Sequence, residues 1–595
     1  MKNILLTVMF AALTATSWAA KANTAPFSVR QSDGTTITVR LHGDEHFSWY
    51  TTTDNVILAR SGNNFYIADI DAKGNITPTS QLAHEKTERS INELSLVKKQ
   101  NLKAFFSEEA DNNRMAQRRE PIAPTSNPPY FPSTGKPTAI VILVEFQDTK
   151  FTVSDPKTVF DQYLNGDEQT EMGYGESLNH GSVKKYFTDM SFGAYQPTFD
   201  IVGPVTLSKD MSYYGKNSGS VKDVNCDEMI KEACTLASAQ IDFSTPKYDS
   251  DADGIADLVY VIYAGYGESN GADPSTIWPK SGIGNFGTYN GVSVQRYGVN
   301  NELNANPDVT DGMFATPKIN GIGLFCHEFS HCIGLPDLYP YSAEAQIDNQ
   351  SMEYWSIMDG GEYTYYGYCP TAYTAWERET LGWHTITPLE NNASITATPV
   401  SDGGQSYKMV NDADKSEYIV LENIQKKDWN RYAIGHGLIA YHVKWPKSTV
   451  AFNDHPNETP GRPGFALIPA DGILISSYNS EYTTAEYQNS HKGDPFPGEN
   501  NVTSLTDDKG LPNFTWYTNG PEVNKALRNI TEDTATGTVT FNYVHNTSTG
   551  IGLPPVTPTE SDKRVYTING AYVGNDASAA GKGIYIVGGK KVIMK

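Results

Sequence analysis

A multidomain α+β architecture is predicted by the length of 595 residues, by two proline-bearing breaks, and by hydrophobic patterning that changes along the chain. A single hydrophobic core stops growing at about 250–300 residues, so several folding units are expected. Alternating stretches fill 23–107, strands interleave with helical spacing over 138–390, and strand patterns return over 391–546 and 561–595. The expected order is a small β-rich unit, an α/β domain, a β-sandwich-like module and a small terminal β unit.

Taken in order, residues 1–22 read as an export signal: Lys2 gives a positive start, 4–14 is mostly apolar, and Ala20-Lys21-Ala22 is a small-x-small cleavage site. The mature chain is then expected to begin near Asn23. No later segment reaches the ~18 uninterrupted apolar residues of a spanning helix. Residues 23–107 carry strand-like alternation such as 36–41 and end in a charged helical tail. A linker is expected over 108–137, where Arg114, Arg118 and Arg119 precede Pro121, Pro124, Pro128 and Pro129; it suits proteolytic removal of the preceding unit.

In 138–390 the apolar runs 139–146 and 258–264 predict buried strands, and 182–190 and 221–237 have helical spacing. Pro370 is expected to open a helical segment running through Trp376 to Gly382. The β-sandwich-like module rests on the strand patterns 417–422, 437–443, 466–469 and 536–543 between turn residues. A second linker, 547–560, carries Pro554, Pro555 and Pro558, and 561–595 closes with the strand-like runs 583–587 and 590–593. No internal repeat has a fixed period.

The net charge of −23 without a basic stripe argues against nucleic-acid binding, which needs clustered Lys and Arg. Five cysteines, an odd number in an exported chain, leave at least one without an internal partner. Cys326 and Cys332 lie six residues apart, on different faces of a helix; apolar packing is favoured over a disulfide or ligation.

The chemistry concentrates in His327-Glu328-Phe329-Ser330-His331-Cys332-Ile333-Gly334-Leu335-Pro336-Asp337. Residues four apart share a helix face, so His327 and His331 can converge on one Zn²⁺ at about 2.0–2.1 Å. Glu328 stands beside the metal without binding it, where a carboxylate can accept the proton of the attacking water. Catalytic zinc usually takes three protein ligands. Gly334 lets the chain leave the helix and Pro336 stops the helix continuing, so Asp337 can return as the third ligand. The other reading makes Asp337 a structural carboxylate that orients an imidazole while another carboxylate ligates. An HExxH match arises by chance in roughly one chain in a hundred of this size, and with the added glycine and aspartate in roughly one in ten thousand. Ile322, Leu324, Phe325, Phe329 and Ile333 make the same helix a packed one.

The extended HExxHxxGxxD pattern resembles metzincin-type zinc peptidases and, most closely, the immune inhibitor A (M6) family. Trp355-Ser356-Ile357-Met358-Asp359-Gly360-Gly361 is similar to the methionine turn beneath the metal of such enzymes, with Met358 filling space. Glu145-Phe146, Ser191-Phe192-Gly193, Leu381-Gly382-Trp383, Leu421-Glu422-Asn423 and 435–443 add to the resemblance, and Gly43-Asp44-Glu45 looks like the propeptide region of such proteins. The resemblance implies a β-rich propeptide over 23–107, a metzincin-like zinc peptidase domain over 138–390, and a secreted zinc endopeptidase acting on protein substrates. Asp337 stands where most metzincins have histidine. Residues 561–595, especially 565–570 and 583–595, resemble the type IX secretion sorting domain, which implies a secretion-machinery partner and is compatible with surface attachment.

Three further expectations concern secondary sites. Asp249, Asp251, Asp253, the Ile255 carbonyl and Asp257, with Gly254 at position six, match the front of an EF-hand-like Ca²⁺ loop, the other reading being an acidic surface turn. Position twelve is Tyr260, so the loop needs an outside ligand. For latency, the N-terminal unit lacks cysteine; Asp44, His42 or His46 at the open coordination position is weighed against simple steric cover. Tyr339 and Tyr363 are the candidate donors to a tetrahedral oxyanion. The competing functions are a non-enzymatic, metal-stabilised surface binding protein and an exopeptidase; the open coordination position beside Glu328 argues against the first.

Overall fold

The computed structural model describes residues 17–18, 20–115, 128–166, 178–218, 221–304, 317–445, 451, 454–478, 482 and 484–545, and, further on, 565–567, 572–574, 581–587 and 590–594. The chain forms two compact units, Met1–Val544 and His545–Lys595.

The first unit is built on a seven-stranded sheet. Thr198–Thr206, Thr138–Glu145, Val259–Tyr266 and Arg296–Asn304 lie side by side and parallel. Lys280–Ile283 adds antiparallel to Arg296–Asn304, and Ser17–Trp18 adds antiparallel to Lys280–Ile283. Lys318–Ile319 also pairs with Arg296–Asn304. The central strands are unbroken apolar runs because both faces are covered. Ala139, Val141 and Leu143 join the core with helices Pro156–Asn165, Val183–Met190 and Ile322–Cys332. Ile140, Ile142 and Val144 join that of helix Cys226–Ala237.

Two helices are shorter than their spacing suggested. The segment expected over 221–237 is helical only from Cys226, because Asp223 takes a left-handed conformation (φ 49°) and points its carboxylate at Lys280 Nζ, 2.6 Å away. Pro370 does not open the later helix. It runs Ala375–Thr380, started by a reciprocal capping box between Thr374 and Glu377. The linker expected over 108–137 is also partly structured: Glu108–Met115 is helical, and Arg114 stacks 3.9 Å from the Phe47 ring centroid. Residues 116–127 and the linker 547–560 lie outside the described residues.

The N-terminal strands form a six-stranded antiparallel meander from Phe27–Arg30 to Ile76–Leu82. After residue 386 a five-stranded sheet and a three-stranded sheet share one core, in which Ile419, Leu421, Leu438 and Ala440 meet Leu527, Val539 and Phe541. The alternate residues Val420, Ile439 and Tyr441 point the other way and join the α/β core, so both faces of the larger sheet are buried. The second unit holds an antiparallel sheet ordered Tyr572–Gly574, Val565–Thr567, Gly583–Val587, Lys590–Met594. No helix among the described residues is long and apolar enough to cross a membrane. All five cysteines are buried and outside any disulfide among the described residues, and Cys326 and Cys332 pack in the apolar core as expected.

Candidate metal centre

Helix Ile322–Cys332 is buried along its whole length. Gly323 is required where it stands: an added Cβ would lie 2.0 Å from the Glu362 carbonyl oxygen. At the far end Gly334 (φ 112°) turns the chain back, as only glycine does readily, and Asp337 is delivered toward the helix.

His327 Nδ1 lies 2.7 Å from the Ile357 carbonyl oxygen, and His331 Nδ1 lies 2.7 Å from that of Leu335. A carbonyl can only accept, so each Nδ1 carries the proton and each Nε2 presents a lone pair. The two Nε2 atoms are 3.2 Å apart, and Asp337 Oδ1 is 3.1 Å from one and 3.3 Å from the other. Tetrahedral ligands about 2.0–2.1 Å from zinc stand about 3.3–3.4 Å from one another. Three buried lone-pair donors at that spacing repel one another unless a cation sits among them. Asp337 Oδ1 has no hydrogen-bond partner beyond these nitrogens, while Oδ2 accepts from the Tyr341 hydroxyl. The donor set fits Zn²⁺.

Glu328 lies outside this triangle and is fully buried. Burial pushes its carboxyl up to about 7, against the pull of the two imidazoles. Beneath the helix, Met358 is buried, its carbonyl accepts from Leu338 N–H at 2.8 Å, and neighbouring Ile357 holds His327. Sequence reasoning missed two residues. Tyr341 orients Asp337, and Glu362 places a buried carboxylate 3.9 Å from His327 Nδ1 with neither oxygen hydrogen-bonded. Burial, reinforced by Glu328 and Asp337, raises the Glu362 pKa well above the ordinary carboxylate range. No spacing rule marks either residue; only the return of the chain after Met358 brings Glu362 under the helix.

The cleft holds a segment that the sequence assigned to the export signal. Ala20 N–H donates to Glu328 Oε1 at 2.6 Å, Trp278 Nε1–H donates to the Ala20 carbonyl at 3.0 Å, and the Tyr363 hydroxyl donates to the Lys21 carbonyl at 2.5 Å. His42 instead pairs with Thr51, and Asp44 accepts from the His46 and Phe47 amides. None of His42, Asp44 and His46 belongs to the ligand cluster.

In the acidic loop, one oxygen from each of Asp249, Asp251 and Asp257 falls within 4.8 Å of the others. Asp253 is not part of that group; its Oδ1 accepts from Ile255 N–H at 2.8 Å. Asp249 accepts loop amides in the same way, from Asp253 N–H at 3.0 Å and Gly254 N–H at 3.1 Å, around the tight turn at Gly254 (φ 82°). Ile255 itself enters a short parallel pairing with Ser293.

Residues 133–384 match the family model described as the immune inhibitor A peptidase M6 catalytic domain. The pre-pro-metalloprotease PrtV of Vibrio cholerae serotype O1 is 26% identical over 274 residues, covering 41% of this chain and 29% of the relative. Immune inhibitor A of Bacillus thuringiensis subsp. alesti is 23% identical over 311 residues, covering 45% of this chain and 44% of the relative. The chain thus spans less than half the length of either relative. These similarities support a metalloprotease and, through the family, a metal that is usually zinc.

Proposed function

We propose that this chain is a secreted zinc-dependent endopeptidase, made as a precursor, that hydrolyses peptide bonds of extracellular proteins with Glu328 as general base. The observation that carries the reading is the convergence of His327 Nε2, His331 Nε2 and Asp337 Oδ1 at 3.1–3.3 Å, with Glu328 beside them and not among them. Those three residues would hold the metal. Bound there, Zn²⁺ supplies a Lewis acid that polarises the scissile carbonyl and eases deprotonation of water. Glu328 accepts the proton of the attacking water and returns it to the leaving amine. Of the two tyrosines considered as oxyanion donors, Tyr363 has the better support, because its hydroxyl already donates to a backbone carbonyl lying in the cleft. The peptidase domain is assigned to 138–390, the propeptide to 23–107, and latency to steric cover of the cleft. The loop of Asp249, Asp251, Asp253, the Ile255 carbonyl and Asp257 is assigned to Ca²⁺, supported by the clustering of Asp249, Asp251 and Asp257, and 561–595 to sorting by a type IX secretion machinery, with surface attachment as one outcome.

The test is metal content measured together with casein cleavage, on the protein after its natural maturation, with and without chelator. About one zinc per chain and chelator-sensitive internal cuts support the endopeptidase. Cleavage confined to chain ends makes it an exopeptidase. A metal-loaded protein that cuts nothing makes it the surface binding protein.

A further inference from the structure

The segment in the cleft is held mainly by its backbone, with one side chain as the exception. Ser17–Trp18 extends the sheet antiparallel to the edge strand Lys280–Ile283, and Asn23 N–H donates to the Ser269 carbonyl at 3.0 Å. Adding an extended strand to a sheet edge is how a peptide is bound irrespective of its sequence; pockets for side chains then supply the selectivity. Lys21 fills such a pocket. Its ammonium is 3.1 Å from Glu353 Oε2, 3.1 Å from Asp359 Oδ1 and 4.9 Å from the Tyr478 ring centroid, and the side chain is 4% exposed.

The pocket's own fold holds its carboxylates in place. Asp359 Oδ2 accepts from the amides of Met352 and Glu353, at 3.2 and 2.7 Å. Glu353 Oε1 accepts from Ser477 N–H at 3.0 Å, and Oε2 from the Tyr487 hydroxyl at 2.8 Å. Glu353 itself sits at φ 46°, a strained conformation for a side-chain-bearing residue, of the kind that collects at functional sites. Two buried carboxylates aimed at one point tolerate a cation and penalise a neutral side chain, which would leave them buried and unpaired.

We propose that Glu353 and Asp359, with Tyr478 alongside, form the pocket that selects a lysine side chain in the substrate, and that Lys21, from the segment read as the export signal, stands in it here as a substrate lysine would. The inference rests on the endopeptidase reading above. The register follows from Glu328. The amide facing it is that of Ala20, and the pocket takes the next residue, so the basic side chain lies on the leaving-amine side of the cut, within two residues of it.

The probe is the peptide of residues 17–24, Ser-Trp-Ala-Ala-Lys-Ala-Asn-Thr, with copies carrying arginine or norleucine in place of lysine. Cleavage is measured with the naturally matured protein, and Kd by calorimetry with its Glu328→Gln variant. Lysine is expected to exceed norleucine at least ten-fold in both kcat/KM and 1/Kd, with cuts mapped just before the basic residue or one residue earlier. In Glu353→Gln, with folding checked by Tm, the lysine-to-norleucine ratio should fall toward one. Equal binding of the lysine and norleucine peptides overturns the pocket whatever the catalytic result, as does chelator-sensitive cleavage with no basic preference. Lysine-selective binding without any metal-dependent cleavage supports the pocket and overturns the peptidase reading instead.

Discussion

His327, His331 and Asp337 are at most 1% exposed and reach their common point from a helix and the turn that follows it, whereas Asp249, Asp251 and Asp257 lie within nine residues of one loop. In the first centre each imidazole is locked by a backbone carbonyl and Asp337 by Tyr341, so the geometry exists before any ion arrives. In the second, Asp249 and Asp251 are partly or fully exposed, and the loop's carboxylates are occupied with its own amides. The contrast separates a buried, preformed donor set, where burial strengthens every electrostatic interaction, from one where an ion would trade water for protein oxygens at little structural cost.

The hardest test of that contrast is Glu328→Gln. It should retain metal and lower kcat by about 10²–10⁴-fold, the usual worth of a general base. Undiminished turnover of casein would remove Glu328 from the reaction. Tyr341→Phe comes next, since it takes the hydrogen bond from Asp337 Oδ2. Zinc affinity, read by competition with a chelator of known strength, should weaken about 10–100-fold; an unchanged affinity means the outer hydrogen bond does not organise the site.

Asp251→Ala probes the exposed loop. The native protein should gain Tm with calcium, by about 2.7 kcal/mol of stability at a hundred times Kd, and the variant should show no such rise. A calcium response that survives the substitution would take Asp251 out of the ligand set. The smallest effect, taken per pH unit, is expected at Glu422, a buried carboxylate outside both centres. Burial pushes its carboxyl up to about 7 from an ordinary 4.5, against the Ala375 amide. A carboxylate raised on folding contributes its full stability below the unfolded pKa and loses it as pH rises, here between about 4.5 and 7, by at most about 1.4 kcal/mol per pH unit. Glu422→Gln should flatten the stability profile across that window; an unaltered slope in chemical denaturation refutes the assignment.

His327, His331 and Asp337 were legible because helical periodicity and a glycine–proline exit are local rules, and the structure brings those three residues together. The strands at 138–145 and 259–266 were legible for a similar reason, as apolar runs of strand length. Local rules failed where a distant partner decided. Asp223 breaks a helix to reach Lys280. Glu353 and Asp359 also looked like unremarkable acids until Lys21, more than 300 residues away, arrived between them.

Sequence alone thus determined which side chains converge at the candidate metal centre, because residue type and helical spacing fix what one face of one helix can present. Tertiary structure decided what surrounds that face: Tyr341 on the aspartate, Glu362 beneath the histidine, and residues 20–22 across the cleft. Those contacts join segments far apart in the chain, and no short-range regularity encodes a pairing made only when the sheet, the turn and the N-terminal strands close on one another.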